Sequence, residues 1–344
     1  MPRFRTALAA SVTAAAFAVL GPVPGALADA DGTSVAFTIS DPRITESSGL
    51  AASRLHPGVY WTHNDSDDGP YVYGVDSATG KTLARVTMRG IDPRDVEAIS
   101  LGPDGDLYVG DIGDNLGGTW PHVWIYRFAE PKKLGNTTVD IVRYKVQYEG
   151  GPRNAEALMV HPKTGRVYIA SKNEDGGGLY AGPVKLSSKG VNTFRRIAEV
   201  PWVTDGSFSP DGTRLVLRGY FWATAWRWSG EAPTKIGSLD VPMQRQGESV
   251  AFTPDGRALM YGSEGKNSEV WKAPLTGDDL PDSAARESGS TSTGTPGGKG
   301  PAAGTGAAGD GSSGHGTVVV GFAALAGIFL AATGLRRILR RRRD

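Results

Sequence analysis

The stretch Asp92-Pro-Arg-Asp-Val-Glu-Ala-Ile-Ser-Leu-Gly-Pro-Asp-Gly-Asp-Leu-Tyr-Val-Gly-Asp-Ile-Gly-Asp-Asn115 carries the architecture of the chain. It runs from a Pro-Arg-x-x-Glu lead-in through a short apolar run, a Pro-Asp-Gly turn and a second apolar run to an acidic exit. The plan recurs. Pro42-Arg43-x-x-Glu46 precedes Gly49-Leu50-Ala51, and Pro152-Arg153-x-x-Glu156 precedes Ala157-Leu158-Met159-Val160. Pro201-Trp202-x-x-Asp205 leads to Phe208. Pro242, with two further residues before Glu248, leads to Val250-Ala251-Phe252. Short strands repeating every roughly 40 to 60 residues are the mark of propeller blades. The spacing predicts an all-β, five-bladed β-propeller, or a six-bladed one if the long interval from Pro93 to Pro152 holds further structure.

Within the quoted repeat, strands are predicted over 98–101, 107–110, 123–128 and 139–148, the last from the alternation of Val139, Ile141, Tyr144 and Val146. The turn at Gly102–Gly105 returns as Ser-Pro-Asp-Gly at 209–212 and Thr-Pro-Asp-Gly at 253–256. Proline second and glycine last suit a tight turn. His56 and His161 sit in looser versions and read as turn residues. The last repeat has strands at 249–253, 258–262 and 269–275 but no fourth. Ser34–Ser40 is a strand without a repeat. Placed on the outside of the last blade, it closes the ring and removes an exposed edge.

The ends read as targeting segments. Residues 1–28 have a basic start at Arg3 and Arg5, an apolar run from Ala7 to Leu20 and a small-x-small site at Ala26-Leu27-Ala28, as in a signal peptide. Residues 317–335 are uncharged and long enough to span a bilayer as a helix. The arginines of 336–344 follow at once, so the positive-inside rule puts that tail in the cytoplasm and the head outside. Residues 276–316 are Gly, Ser, Thr, Ala and Pro with few large apolar groups, and read as a disordered linker. The expectation is a cell-surface, single-pass membrane protein whose head is residues 29–275. The chain has no cysteine, so stability comes from the core and not from disulfides. The head is mildly acidic, which argues against nucleic acid as a partner.

Equivalent positions in a propeller lie on a circle around its axis. If the first strand of each blade is innermost, Glu46, Glu97, Glu156, Asp205 and Glu248 form a ring of carboxylates at the channel mouth. The ends of the second strands reach the same face and bring His63, Asn64, Asp111, Asp114, Asn115, Asn173, Arg218 and Glu264. Carboxylates so placed must be protonated, paired or bound to a cation. Arg43, Arg94 and Arg153 are candidate partners, which would make the ring a structural clamp. An oxygen-rich set without thiols favours Ca²⁺ or Mg²⁺. Asp65, Asp67 and Gly69 match part of a calcium loop but lack its helices, and read as a polar turn. Trp120, Phe221 and Trp222 fall in loops at the rim, where rings can stack on a ligand or partner. Trp61, Trp124, Trp226, Trp228 and Trp271 fall in strands, as packing residues do. No nucleophile elbow is present.

Glu97-Ala-Ile-Ser100, Gly110-Asp-Ile-Gly-Asp-Asn115, Asn154-Ala-Glu-Ala-Leu158 and the Pro-Asp-Gly turns resemble those of secreted bacterial β-propellers. That group includes phytase-like esterases, gluconolactonase-like proteins and WD40-like repeat proteins, and the likeness covers roughly residues 34–275. It implies a propeller in which acids around the channel hold a divalent cation. The chain lacks the Lys and Arg cluster that phosphate binding in a phytase requires. The expected function is a head that binds an extracellular ligand or protein at an acidic mouth; the alternative is a metal-dependent esterase or lactonase-type hydrolase using the same funnel.

Overall fold

Inner segments such as 155–160 and 258–263 are buried along their whole length, outer ones such as 142–148 alternate, and the resulting strands close into antiparallel meanders. The structure, a computed structural model, describes residues 32–290 except 66, 67, 116, 174, 175 and 231. The expected signal segment, the chain beyond residue 290, the apolar stretch 317–335 and the basic tail lie outside the described residues, as does Asp67 of the calcium-loop match. Among those described, no helix is long and apolar enough to cross a membrane.

The chain enters with β1 (Ser34–Thr38). The first meander is β2 (Ala51–Ala52), β3 (Val59–Thr62), β4 (Tyr71–Asp76) and β5 (Thr82–Met88). The second begins with β6 (Val96–Leu101), β7 (Asp106–Asp111) and β8 (Val123–Ala129). It then inserts β9 (Asn136–Val139) before its outer strand β10 (Val142–Tyr148). The third is β11 (Ala155–Val160), β12 (Val167–Ser171), β13 (Gly177–Ala181) and β14 (Val191–Val200). The fourth is β15 (Asp205–Phe208), β16 (Arg214–Gly219), β17 (Trp222–Ser229) and β18 (Ala232–Leu239). The last has β19 (Gly247–Phe252), β20 (Ala258–Ser263) and β21 (Glu269–Pro274). Its outer position is taken by β1, antiparallel to β21 from Ser34↔Lys272 to Thr38↔Glu269. The N-terminal strand thus completes the last meander, as the missing fourth strand required.

The first strands of the meanders touch in the cyclic order β2, β6, β11, β15, β19 and back to β2. The apolar side chains pack between neighbouring meanders. Trp61, Val86, Tyr126 and Phe128 fill the gap between the first and second, and Phe37, Tyr60, Tyr73 and Met260 that between the last and the first. Each such large side chain contributes about 1.5–3 kcal/mol on burial. This is an all-β, propeller-type fold.

Two local departures from expectation have clear causes. The strand predicted over 139–148 is broken at Asp140 and Ile141. The piece before the break, β9, crosses to pair in parallel with β5, from Arg85↔Asn136 to Met88↔Val139. The piece after it, β10, stays with β8 and also pairs in parallel with β14, which fuses the second and third meanders into one eight-stranded sheet. The ordered head also runs past Thr276. A 3₁₀ turn (Gly277–Asp279) and helix α1 (Asp282–Ser290) follow β21. The first helical N–H groups of Asp282 and Ser283 donate to Thr213 Oγ1 and Asp211 Oδ2 of a Pro-Asp-Gly turn, at 3.0 and 2.9 Å, so that turn caps the helix. Arg214 pairs with Asp282 at 2.9 Å, and Ala284 is buried.

The Pro-Asp-Gly turns hold as expected. Gly105, Gly212 and Gly256 have φ of +81°, +76° and +70°, where a Cβ is strained. His56 bonds the Pro131 carbonyl at 2.7 Å, and His161 stands edge-on to Phe208, so both serve their turns.

Candidate metal centre at the channel mouth

In three meanders the first strand begins with a β-bulge. Val96 pairs with Asp111 and Ala98 with Gly110, which leaves Glu97 as the extra residue. Glu156 is the extra residue between Ala155↔Ser171 and Ala157↔Ala170, and Glu248 between Gly247↔Ser263 and Ser249↔Gly262. A bulge re-aims a side chain, and bulges are common beside active sites. The three glutamates therefore occupy one register position around the mouth, and all three are buried.

Glu46 and Asp205 do not join them, although the Pro-Arg-x-x-Glu spacing aligned all five. In the first meander Ser47 pairs with Asn64, so Ser48 takes the place of Glu97 and Glu46 that of Asp95. Two additional residues after Pro42 cause the shift. Ser48 instead points its hydroxyl at Glu97 Oε2, 3.4 Å away. In the fourth meander Asp205↔Arg218 is followed without a bulge by Gly206↔Leu217. Asp205 accepts from the N–H of Gly206 and of Val250, at 2.7 and 2.8 Å, and so ties β15 to β19.

The residues at the ends of the second strands divide in the same way. Asn64 Oδ1 accepts from the N–H of Thr45 and Glu46, and Asp111 Oδ1 from those of Arg94 and Asp95, all near 3 Å. Asp114 holds Trp120 N–H at 2.6 Å and Thr119 Oγ1 at 3.2 Å. Arg218 is fully buried and donates to the carbonyls of Ser249 and Gly262 and to Gln244 Oε1. These four brace the backbone. His63 is buried and neutral, its pKa pushed down to about 4 by burial, with Nδ1 on the Asn64 carbonyl. Glu264 is half-buried, and its N–H bonds the Gln246 carbonyl. Asn173 is half-buried at the end of β12, and Asn115 is exposed at the rim.

The centre itself includes residues the spacing did not single out. Asp65, Asp95 and Glu97 are buried and each brings a carboxylate oxygen within 4.8 Å of the other two. Asn115 Nδ2 donates to Asp95 Oδ2 at 3.1 Å. Glu97 Oε1 has no hydrogen-bond partner among the described residues. The gap is kept open by Gly113, where a Cβ would lie 2.5 Å from Asp95 Oδ2 and 2.6 Å from Glu97 Oε1. Three oxygen donors without thiol or imidazole suit a hard divalent cation and leave coordination positions open.

Beside this trio lies a second charged group. Lys172 Nζ is 2.9 Å from Glu156 Oε2 and donates to Tyr220 Oη at 2.8 Å. Burial alone would lower its pKa, but Glu156, Tyr220, Glu248 and Glu97 hold it well above the ordinary value. Glu97 is pushed well up by burial and then by Asp65, Glu156 and Asp95. Glu248 is pushed up to about 7 by burial, with Glu156 and Asp65 adding and Lys172 and Gln246 opposing. Among the described residues Lys172 thus faces Glu156, Glu248 and Glu97, with Asp65 and Asp95 beside Glu97, and the arginines expected to pair with them are engaged elsewhere. Arg43 pairs with Asp41 at 2.6 Å, Arg94 lies over Trp120 and Arg153 over Tyr180. Lys172 and Asp65 share a position, each following the last residue paired to the first strand, and that pairing was the signal that could have found both.

No protein-family model matches the chain, and no curated protein matches it. Solved structures do match. One is a gluconolactonase from Xanthomonas campestris described as important in glucose secondary metabolic pathways, at 13% identity and a TM-score of 0.44, covering 71% of this chain and 89% of that one.

Proposed function

We propose that the protein is a five-bladed propeller whose mouth holds a divalent cation, Ca²⁺ or Mg²⁺, and hydrolyses an ester or lactone there. The observation that carries this reading is the convergence of Asp65, Asp95 and Glu97 on one point, with Glu97 Oε1 left, among the described residues, without a donor and without an arginine. A clamp would have spent each glutamate on arginine or backbone N–H. A divalent cation bound there supplies polarisation of a carbonyl and a more acidic water. The chain's own residues do the rest. Asn115 orients Asp95, and Gly113 keeps the cradle open. Glu248, with Oε2 unpartnered and a pKa of about 7, accepts a proton at working pH. Lys172, held charged by Glu156, offsets negative charge arising in the pocket.

Metal analysis of the purified protein, followed by a screen of short esters and γ- and δ-lactones with and without chelator, tests the reading. Bound metal with chelator-sensitive hydrolysis that Glu97→Gln removes is expected. Metal without hydrolysis would leave a cation-dependent binding head, a reading that the aromatic rim favours. No metal at all would sink both. We further propose export by the N-terminal segment and a single C-terminal anchor. Truncation before Thr317 should then release the head into the medium, and retention in the membrane fraction would contradict it.

A further inference from the structure

We infer that one side of the mouth is an aromatic wall that takes a flat apolar ring, so that the ligand class is an aryl ester or a lactone fused to a planar ring. The inference rests on the mouth being the ligand pocket proposed above.

The position after the last pair of the second strand carries Asp65, Lys172 and Glu264 in the first, third and last meanders, and Gly219 in the fourth. A Cβ on Gly219 would collide with the indole of Trp222. In the second meander the position is the buried, apolar Ile112. The indole therefore fills the place that a charged side chain takes in the first, third and last meanders. Trp202 stands edge-on to Trp222 and to Tyr220, with ring centroids 6.3 and 5.4 Å apart. Tyr220 is edge-on to Phe221, which is 51% exposed although large and apolar. The wall is joined to the carboxylates by two contacts, since Tyr220 Oη accepts from Lys172 Nζ and that nitrogen pairs with Glu156.

Trp120, the other rim aromatic, differs. Arg94 covers it at 4.0 Å and Asp114 pins its backbone. Among these described rim aromatics, the open rings thus lie on the fourth meander. Partly exposed rings set edge to face accept a further ring at about 4.5–7 Å. Gly219 and Phe221, beside the indole, carry no hydrogen-bonding side chain. An aryl ring gains apolar burial on both of its faces there, whereas a sugar ring must give up water from the hydroxyls on the side it buries.

The test uses the full chain and two probes. 1-Naphthylacetamide, which lacks an ester, reports binding by calorimetry in calcium and in chelator. 1-Naphthyl acetate reports hydrolysis. Saturable binding of the amide is expected, weakened at least tenfold by Trp222→Ala, several-fold by Phe221→Ala, and unchanged by Trp124→Ala. Phe221 is exposed, so its variant reads the wall even if Trp222→Ala does not fold. Methyl β-glucoside should not compete. Binding of the amide without hydrolysis of the ester keeps the wall and removes the hydrolase reading. Absent or non-saturable binding, affinity unchanged in Phe221→Ala, or competition by the glucoside overturns the inference.

Discussion

Glu130 and Glu97 are both almost inaccessible carboxylates, 3% and 1% exposed, at opposite ends of the strands. Glu130 lies at the end where the Pro-Asp-Gly turns are. It accepts from Ser53 Oγ, from Trp61 Nε1 at 2.7 Å, and from the N–H groups of Arg54 and Leu55 at 3.3 and 3.2 Å. Glu97, at the mouth, receives only a long contact from Ser48 at 3.4 Å, and its Oε1 has no donor among the described residues. Other acids at the turn end are also consumed by the fold. Asp104 and Asp106 share Arg127, and Asp211 serves Thr213 and the α1 N-terminus. A buried carboxylate that stabilises the fold is supplied with donors by that fold. Glu97 is not, so the charge that balances it comes from a bound cation or from a proton.

Substitutions sharpen this contrast. Glu130→Ala strands an indole N–H, a hydroxyl and two backbone N–H groups, and should cost about 3 kcal/mol or more in chemical denaturation. Destabilisation below about 1 kcal/mol would mean that water replaces the carboxylate easily and that the two ends are not so different. Gly113→Ala should remove the response to calcium, because its methyl fills the cradle, and should lower the cation-free melting temperature as the buried Asp95 and Glu97 carboxylates move aside. A retained response would place the cation elsewhere. Glu97→Gln keeps the side chain's size and removes one repelling charge. It should stabilise the cation-free protein by on the order of 1 kcal/mol, opposite in sign to Glu130→Ala. A loss of stability would show that Glu97 is structural.

The smallest effect is in pH. The Glu248 carboxyl is raised from an ordinary 4.5 to about 7. Between those values the folded chain keeps a proton that the unfolded chain has released, so stability falls as pH rises through that window. The cation-free protein should therefore melt higher near pH 5.5 than near pH 8, and Glu248→Gln should reduce the difference, with Glu97 and Asp205, also raised by burial, acting in the same direction. A melting temperature that rises with pH over this range, and is unaffected by Glu248→Gln, would contradict the shift.

Much of the fold could be read in advance because its signals are local. Pro-Asp-Gly turns and alternating runs mark strands within a few residues of their observed ends, and the unpaired Ser34 segment had one place to go. The centre was harder. Motif spacing counts from the proline, whereas side-chain position is set by hydrogen-bond register, and the two additional residues before Ser48 move Glu46 out of line. Asp65 and Lys172 lie in the strand-end segments that the repeat brings to the mouth, but their neighbours were singled out instead, and Asp95 was missed because it enters beside a bulge. Arg218 reads as a mouth cation by position, yet its guanidinium turns inward to the carbonyls of Ser249 and Gly262. Nothing local signals that direction.

The central claim is that Asp65, Asp95 and Glu97 hold a divalent cation, and thermal unfolding across a calcium titration tests it most directly. A cation that binds only the folded state stabilises it by about 2.7 kcal/mol at a hundredfold excess over Kd. The account predicts a melting temperature that climbs with calcium or magnesium, falls back with chelator, and does not respond in Glu97→Gln. Melting curves that stay superimposed from chelator to millimolar calcium and magnesium would contradict it.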